Sequence, residues 1–129
     1  MKRFLRSFAV LLALGFALTQ FSGCLAVVAG AAGGTVAYVK GALQVNLDGT
    51  IEQVDKASVA AVKELKFVLV SDRVDAISGE VVARTAKDVK VQILLKKLTE
   101  KTTQVDIRIG TFGDRIVSQQ ILDEIRNNL

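Results

Sequence analysis

The chain has 129 residues, a formal net charge of +4, a sequence pI near 9.4 and a single cysteine, and it contains neither histidine nor proline. That length suffices for one small domain, and one cysteine excludes an intramolecular disulfide. The lack of histidine excludes His-dependent triads and removes both the usual zinc ligand and the usual neutral-pH proton shuttle.

The first element is a leader. A basic tip (Lys2, Arg3, Arg6) precedes an apolar run over residues 8–18 and a small-residue exit, Phe21-Ser22-Gly23-Cys24. This order of regions predicts a lipoprotein signal peptide over residues 1–23. Ser22 and Gly23 let a peptidase approach the backbone, with Phe21 as the third recognition position, bulkier than the Leu such boxes usually carry. Cys24, the only cysteine, is the expected lipidation site and the first residue of the processed chain. Loss of Lys2, Arg3 and Arg6 leaves 14 basic residues against 13 acidic ones, a net charge of +1, so the high pI belongs mostly to the leader. A nucleic-acid partner is therefore not expected, because that reading needs a basic face.

Residues 24–40 form a Gly/Ala-rich segment, expected to be a lipidated tether. No charge occurs between residues 8 and 39, and Gly30 with Gly34 makes a small-xxx-small pair, so an uncleaved membrane helix is the competing reading. The run Gly30-Ala31-Ala32-Gly33-Gly34 lacks the Lys-Ser/Thr ending of a phosphate-binding loop.

From residue 41 onward, charges alternate with branched apolar residues, and a globular domain over residues 41–129 is expected. Leu43, Val45 and Leu47 share one side of a strand over residues 42–47, which Asp48-Gly49 ends. Thr50 with Gln53 fits a capping box, and Ile51, Val54, Ser58, Ala61, Val62 and Leu65 recur at helical spacing. Residues 67–71 read as a short, well-buried strand, with a turn at Ser78-Gly79. Strands over residues 80–85, 89–96 and 103–109 alternate regularly and are expected to form a meander, joined by Ala86-Lys87-Asp88 and by residues 99–102. Gly110-Thr111-Phe112-Gly113 breaks the last strand, and Asp114 offers a cap to a helix over residues 115–128 with Val117, Ile121 and Ile125 on one face.

The pattern predicts an α+β fold in the order β-α-β-β-β-β-α: a largely antiparallel, four- to five-stranded sheet with two helices on one face. Lys90, Gln92, Gln104, Asp106 and Arg108 fall on the other face. Phe112 is expected to pack under the last helix, as aromatics ordinarily do, or else to project as a contact residue. With Arg108 and Asp106 it completes the candidate contact set for a protein partner.

Little here suggests catalysis, and no catalytic residue, cofactor or metal is assigned. Ser58 and Ser118 lie within helices without a nucleophile elbow, and a lipidated Cys24 has no free thiolate. Asp72, Asp75 and Glu80 gather near one turn, but their spacing matches no calcium loop, and solvated turn carboxylates are the reading.

Gly23-Cys24, the tether ending near Tyr38, the small residues Ala57, Ala60 and Ala61, and above all Ile107-Arg108-Ile109-Gly110-Thr111-Phe112-Gly113-Asp114 with Ser118 and Ile121 carry a resemblance. The chain resembles a family of short, uncharacterised bacterial lipoproteins grouped only as a domain of unknown function. The resemblance implies an envelope address and no assigned activity. Leu25 after the cysteine, in place of Asp, resembles cargo sorted to the outer membrane with its domain facing the periplasm. Two functions fit. One is a non-enzymatic interaction or structural module, held to the membrane by lipid on Cys24 and meeting an envelope protein. The other is a carrier or sensor that holds a small apolar ligand between helices and sheet, beside Ala57, Ala60 and Ala61.

Overall fold

In the computed structural model, which describes residues 36–129, apolar residues at alternate positions build the sheet and those at helical spacing cover it. Strand β1 (Ala37–Val39) and strand β2 (Ala42–Asp48) precede helix α1 (Ile51–Glu64). Strands β3 (Val68–Val74), β4 (Ser78–Arg84), β5 (Lys90–Thr99) and β6 (Thr102–Ile109) follow, and helix α2 (Arg115–Asn127) closes the chain. All six strands join one antiparallel sheet in the order β1-β2-β6-β5-β4-β3. The α+β class and the β4-β5-β6 meander are those the pattern predicts.

Both helices lie on one face. Leu43, Val45 and Leu47 of β2, Val91, Ile93 and Leu95 of β5 and Val105, Ile107 and Ile109 of β6 meet Val54, Ala61 and Val62 of α1 and Ile121, Leu122 and Ile125 of α2 in a single core. Each large apolar side chain buried there contributes on the order of 1.5–3 kcal/mol. Helix α1 starts with the predicted capping box: Gln53 N donates to Thr50 Oγ1 at 3.3 Å, and Thr50 N donates to Gln53 Oε1 at 3.0 Å. At the head of α2, Asp114 Oδ1 accepts from the amides of Ile116 and Val117 at 3.0 and 3.1 Å.

The structure departs from the sequence reading in three places. First, the sheet has six strands where four to five were expected, because β1 pairs with β2, Tyr38 opposite Leu43. The sheet thus reaches into residues that composition assigned to the tether, and the charge-free run that could be read as a membrane span ends in a strand. The expected leader over residues 1–23, with Phe21, Ser22 and Gly23, and the expected lipidation site Cys24 lie outside the described residues. Second, the strand expected to be buried over residues 67–71 is the sheet's edge strand: Val68 is 66% exposed and Val70 is also exposed. A register shift between Leu69 and Ser71 re-aims its side chains, so a continuous apolar run here does not mean two buried faces. Third, Ser78 and Gly79 belong to β4. The reversal lies just before them, where Asp75 Oδ1 accepts from the amides of Ile77 and Ser78 at 2.9 and 2.8 Å.

Candidate functional site

Sheet register sets the face opposite the helices. Asp106 stands between Gln44 of β2 and Leu94 of β5, and Arg108 between Ala42 and Gln92. Next along the β5–β4 pair, Gln92 Nε2 donates to Glu80 Oε1 at 2.6 Å. The Gln104 amide donates to Asp106 at 3.2 Å, and the Arg108 guanidinium donates to the carbonyl of Lys40. Asp106 and Arg108 therefore share one face without forming an ion pair with each other. They border a shallow basin of about 260 Å³ with Gln44, Gln92 and Leu94.

Phe112 corrects the packing expectation, because its side chain is 92% exposed. The loop from Gly110 to Gly113 is held by its backbone. Gly110 N donates to Lys90 O at 2.8 Å, and a Cβ on Gly41 would lie 2.7 Å from the Phe112 carbonyl. At Gly113, φ is +82°, and an added Cβ would collide with the Gly41 carbonyl and the Tyr38 hydroxyl. The loop backbone lies close against the Gly41 turn, and the Phe112 ring points outward. The Arg115 guanidinium lies 5.2 Å from the centre of the Tyr38 ring, a cation–π contact that fastens β1 to the start of α2. The Lys40-Gly41 turn thus links Arg108 on the open face to Phe112 at its upper edge, while Asp106 lies further down the same strand. An open groove of about 520 Å³ borders the loop, lined by Phe67, Val89, Phe112 and Val117.

The three turn carboxylates do separate work. The Asp75 carboxyl lies below the usual aspartate range because the Ile77 amide, then the Ser78 amide and the Ser78 hydroxyl, donate to it. Glu80 accepts from Gln92. Asp72 interacts with Asp55. Among the described residues no group of three or more acidic or cysteine side chains is placed to hold a metal ion.

Sequence reasoning passed over Asp55. It is only 5% exposed, and its Oδ1 has no hydrogen-bond partner. Burial, then the charge of Asp72 and a hydrogen bond with it, push its pKa up to about 6. Its position four residues after Ile51 placed it within the buried stripe, and that was the available signal. Ser118 Oγ is likewise buried and unpartnered, whereas Ser58 Oγ donates to Val54 O at 2.7 Å.

One antiparallel sheet covered on a single side by two helices, with a polar open side, defines a small α+β domain. The family model described as "Protein of unknown function (DUF3568)" matches residues 7–128, and the chain belongs to that family. No curated protein matches it.

Proposed function

We propose that the chain is a bacterial envelope lipoprotein, anchored through lipid on Cys24, whose domain is a non-enzymatic interaction module. The observation that carries this reading is the order basic tip, apolar run, small residues and then the only cysteine. Two or more acyl chains on Cys24 hold a protein stably at a bilayer, each buried methylene contributing about 0.8 kcal/mol. Leu25 after the cysteine, as in cargo sorted to the outer membrane, supports an outer-membrane address with the domain facing the periplasm.

The open sheet face supports a protein-docking role. Around Arg108 and Asp106 it offers charges of both signs, amide groups and the half-exposed Leu94 side by side. The carrier reading has less support, because Ala57 and Ala61 are buried within the core itself, where small side chains let helices pack closely. A photo-crosslinker placed at Leu94 in intact cells tests the module. A discrete protein adduct is expected from Leu94 and not from Lys63 on the helical side, and Cys24→Ala is expected to abolish it. Equal labelling from both positions, or bound lipid recovered in place of a protein adduct, contradicts the reading.

A further inference from the structure

The upper end of the domain combines an exposed aromatic, basic side chains and a shaped backbone. Phe112 is 92% exposed there, and Ile116, in the first turn of α2, is 74% exposed. Lys40 stands in the turn beneath the Phe112 carbonyl, Lys87 borders the groove beside the ring, and Arg115 is fixed over Tyr38. The neighbouring carboxylates are engaged: Asp88 pairs with Arg84 at 3.0 Å, and Asp114 caps α2. Six of the seven positive-φ residues gather at this end, Lys40, Gly41, Lys66, Asp88, Gly110 and Gly113, so its loops are built rather than slack.

Val36, where the described chain begins, lies four residues before the Lys40-Gly41 turn, about 13 Å along a strand. The residues between it and Cys24 span at most about 40 Å when extended. A tether of that length keeps the domain at the bilayer and leaves its side chains to choose which end meets the lipid. The opposite end also exposes apolar side chains, Ile77 and Leu98, but there Lys96, Lys97 and Lys101 are balanced by Asp48, Asp75 and Glu100, with Lys97 and Glu100 paired at 2.8 Å, so that end offers an anionic surface no net positive charge.

From this juxtaposition we infer that the upper end is a lipid-docking surface: Phe112 and Ile116 enter the headgroup region of an anionic bilayer while Lys40, Lys87 and Arg115 meet its phosphates. An aromatic ring at headgroup depth flanked by basic side chains is the arrangement that interfacial binding favours. Docking so fixes the domain's orientation and leaves the Arg108–Asp106 face open to a partner. The inference rests on the lipid-anchored reading and adds to it which end faces the membrane.

The chain has no tryptophan, so a single substitution supplies a reporter. Full-length acylated protein carrying Phe112→Trp, Ile116→Trp or Ile77→Trp is reconstituted into vesicles of phosphatidylethanolamine and phosphatidylglycerol containing brominated acyl chains. Strong quenching with a blue-shifted emission is expected at positions 112 and 116, little change at 77, and weaker quenching when Lys40→Glu and Arg115→Glu are added. Equal quenching at all three positions, or none at 112 and 116 in protein that floats with the vesicles, overturns the docking surface and leaves the anchor standing. Failure of the native chain to carry acyl groups removes the anchor instead.

Discussion

At the scale of single residues, three positions separate backbone geometry from charge. Gly113 has φ +82° and no room for a Cβ against the Gly41 carbonyl. Gly113→Ala is expected to destabilise the domain by about 2–4 kcal/mol in urea unfolding, the sum of a left-handed backbone and a steric collision. Asp55 has the opposite character. Its pKa is about 6 when folded against 3.8 for a free aspartate, so between those values the folded chain holds a proton that the unfolded chain has lost. Stability therefore falls as pH rises from about 4 to about 6 and levels off above that. Asp55→Asn keeps a donor toward Asp72 and removes the buried charge. It is expected to raise stability at pH 7 by on the order of 1–3 kcal/mol, with the gain vanishing near pH 4. Ser118 Oγ is buried without a partner, so Ser118→Ala is expected to be neutral or stabilising by up to about 1 kcal/mol.

Among elements, the helices were the most legible in the sequence and the edge strand the least. Thr50 with Gln53 and Asp114 before Ile116 announced two helix starts, because a side-chain acceptor for free amides is a local requirement that nearby residues can meet. Thr50→Ala is expected to cost about 1 kcal/mol. Ile121→Ala, at a fully buried position beneath α2, is expected to cost about 2–5 kcal/mol, and thermal melts of both variants check the ranking. Strand β3 was misread because exposure at a sheet edge depends on which strands pair, and nothing in residues 67–71 states that β3 has a single neighbour. Asp72 and Arg73 are charged, an edge tolerates such residues, and β3 runs on past residue 71 to Val74. Two readings of Phe112 stay open in the sequence, and Tyr38 is read only as part of the tether, for a related reason. Tyr38 meets Arg115 and Gly113, which lie far along the chain, and the backbone of the outward-pointing Phe112 makes a close approach that glycine at position 41 allows.

For the whole molecule, the candidate contact residues resolve into two surfaces where the sequence suggested one set. Arg108 and Asp106 belong to the open sheet face, and Phe112 marks the upper end, the proposed lipid-docking surface. Among the described residues no helix is long and apolar enough to cross a membrane. The proposed attachment rests on the order of residues that leads to Cys24. The most direct test is intact-mass spectrometry of the native protein extracted from membranes. The account predicts a chain that begins at Cys24, heavier than its sequence by a thioether-linked diacylglyceryl group, and a Cys24→Ala version that keeps residues 1–23. A native protein with its leader intact and an unmodified Cys24 thiol contradicts it.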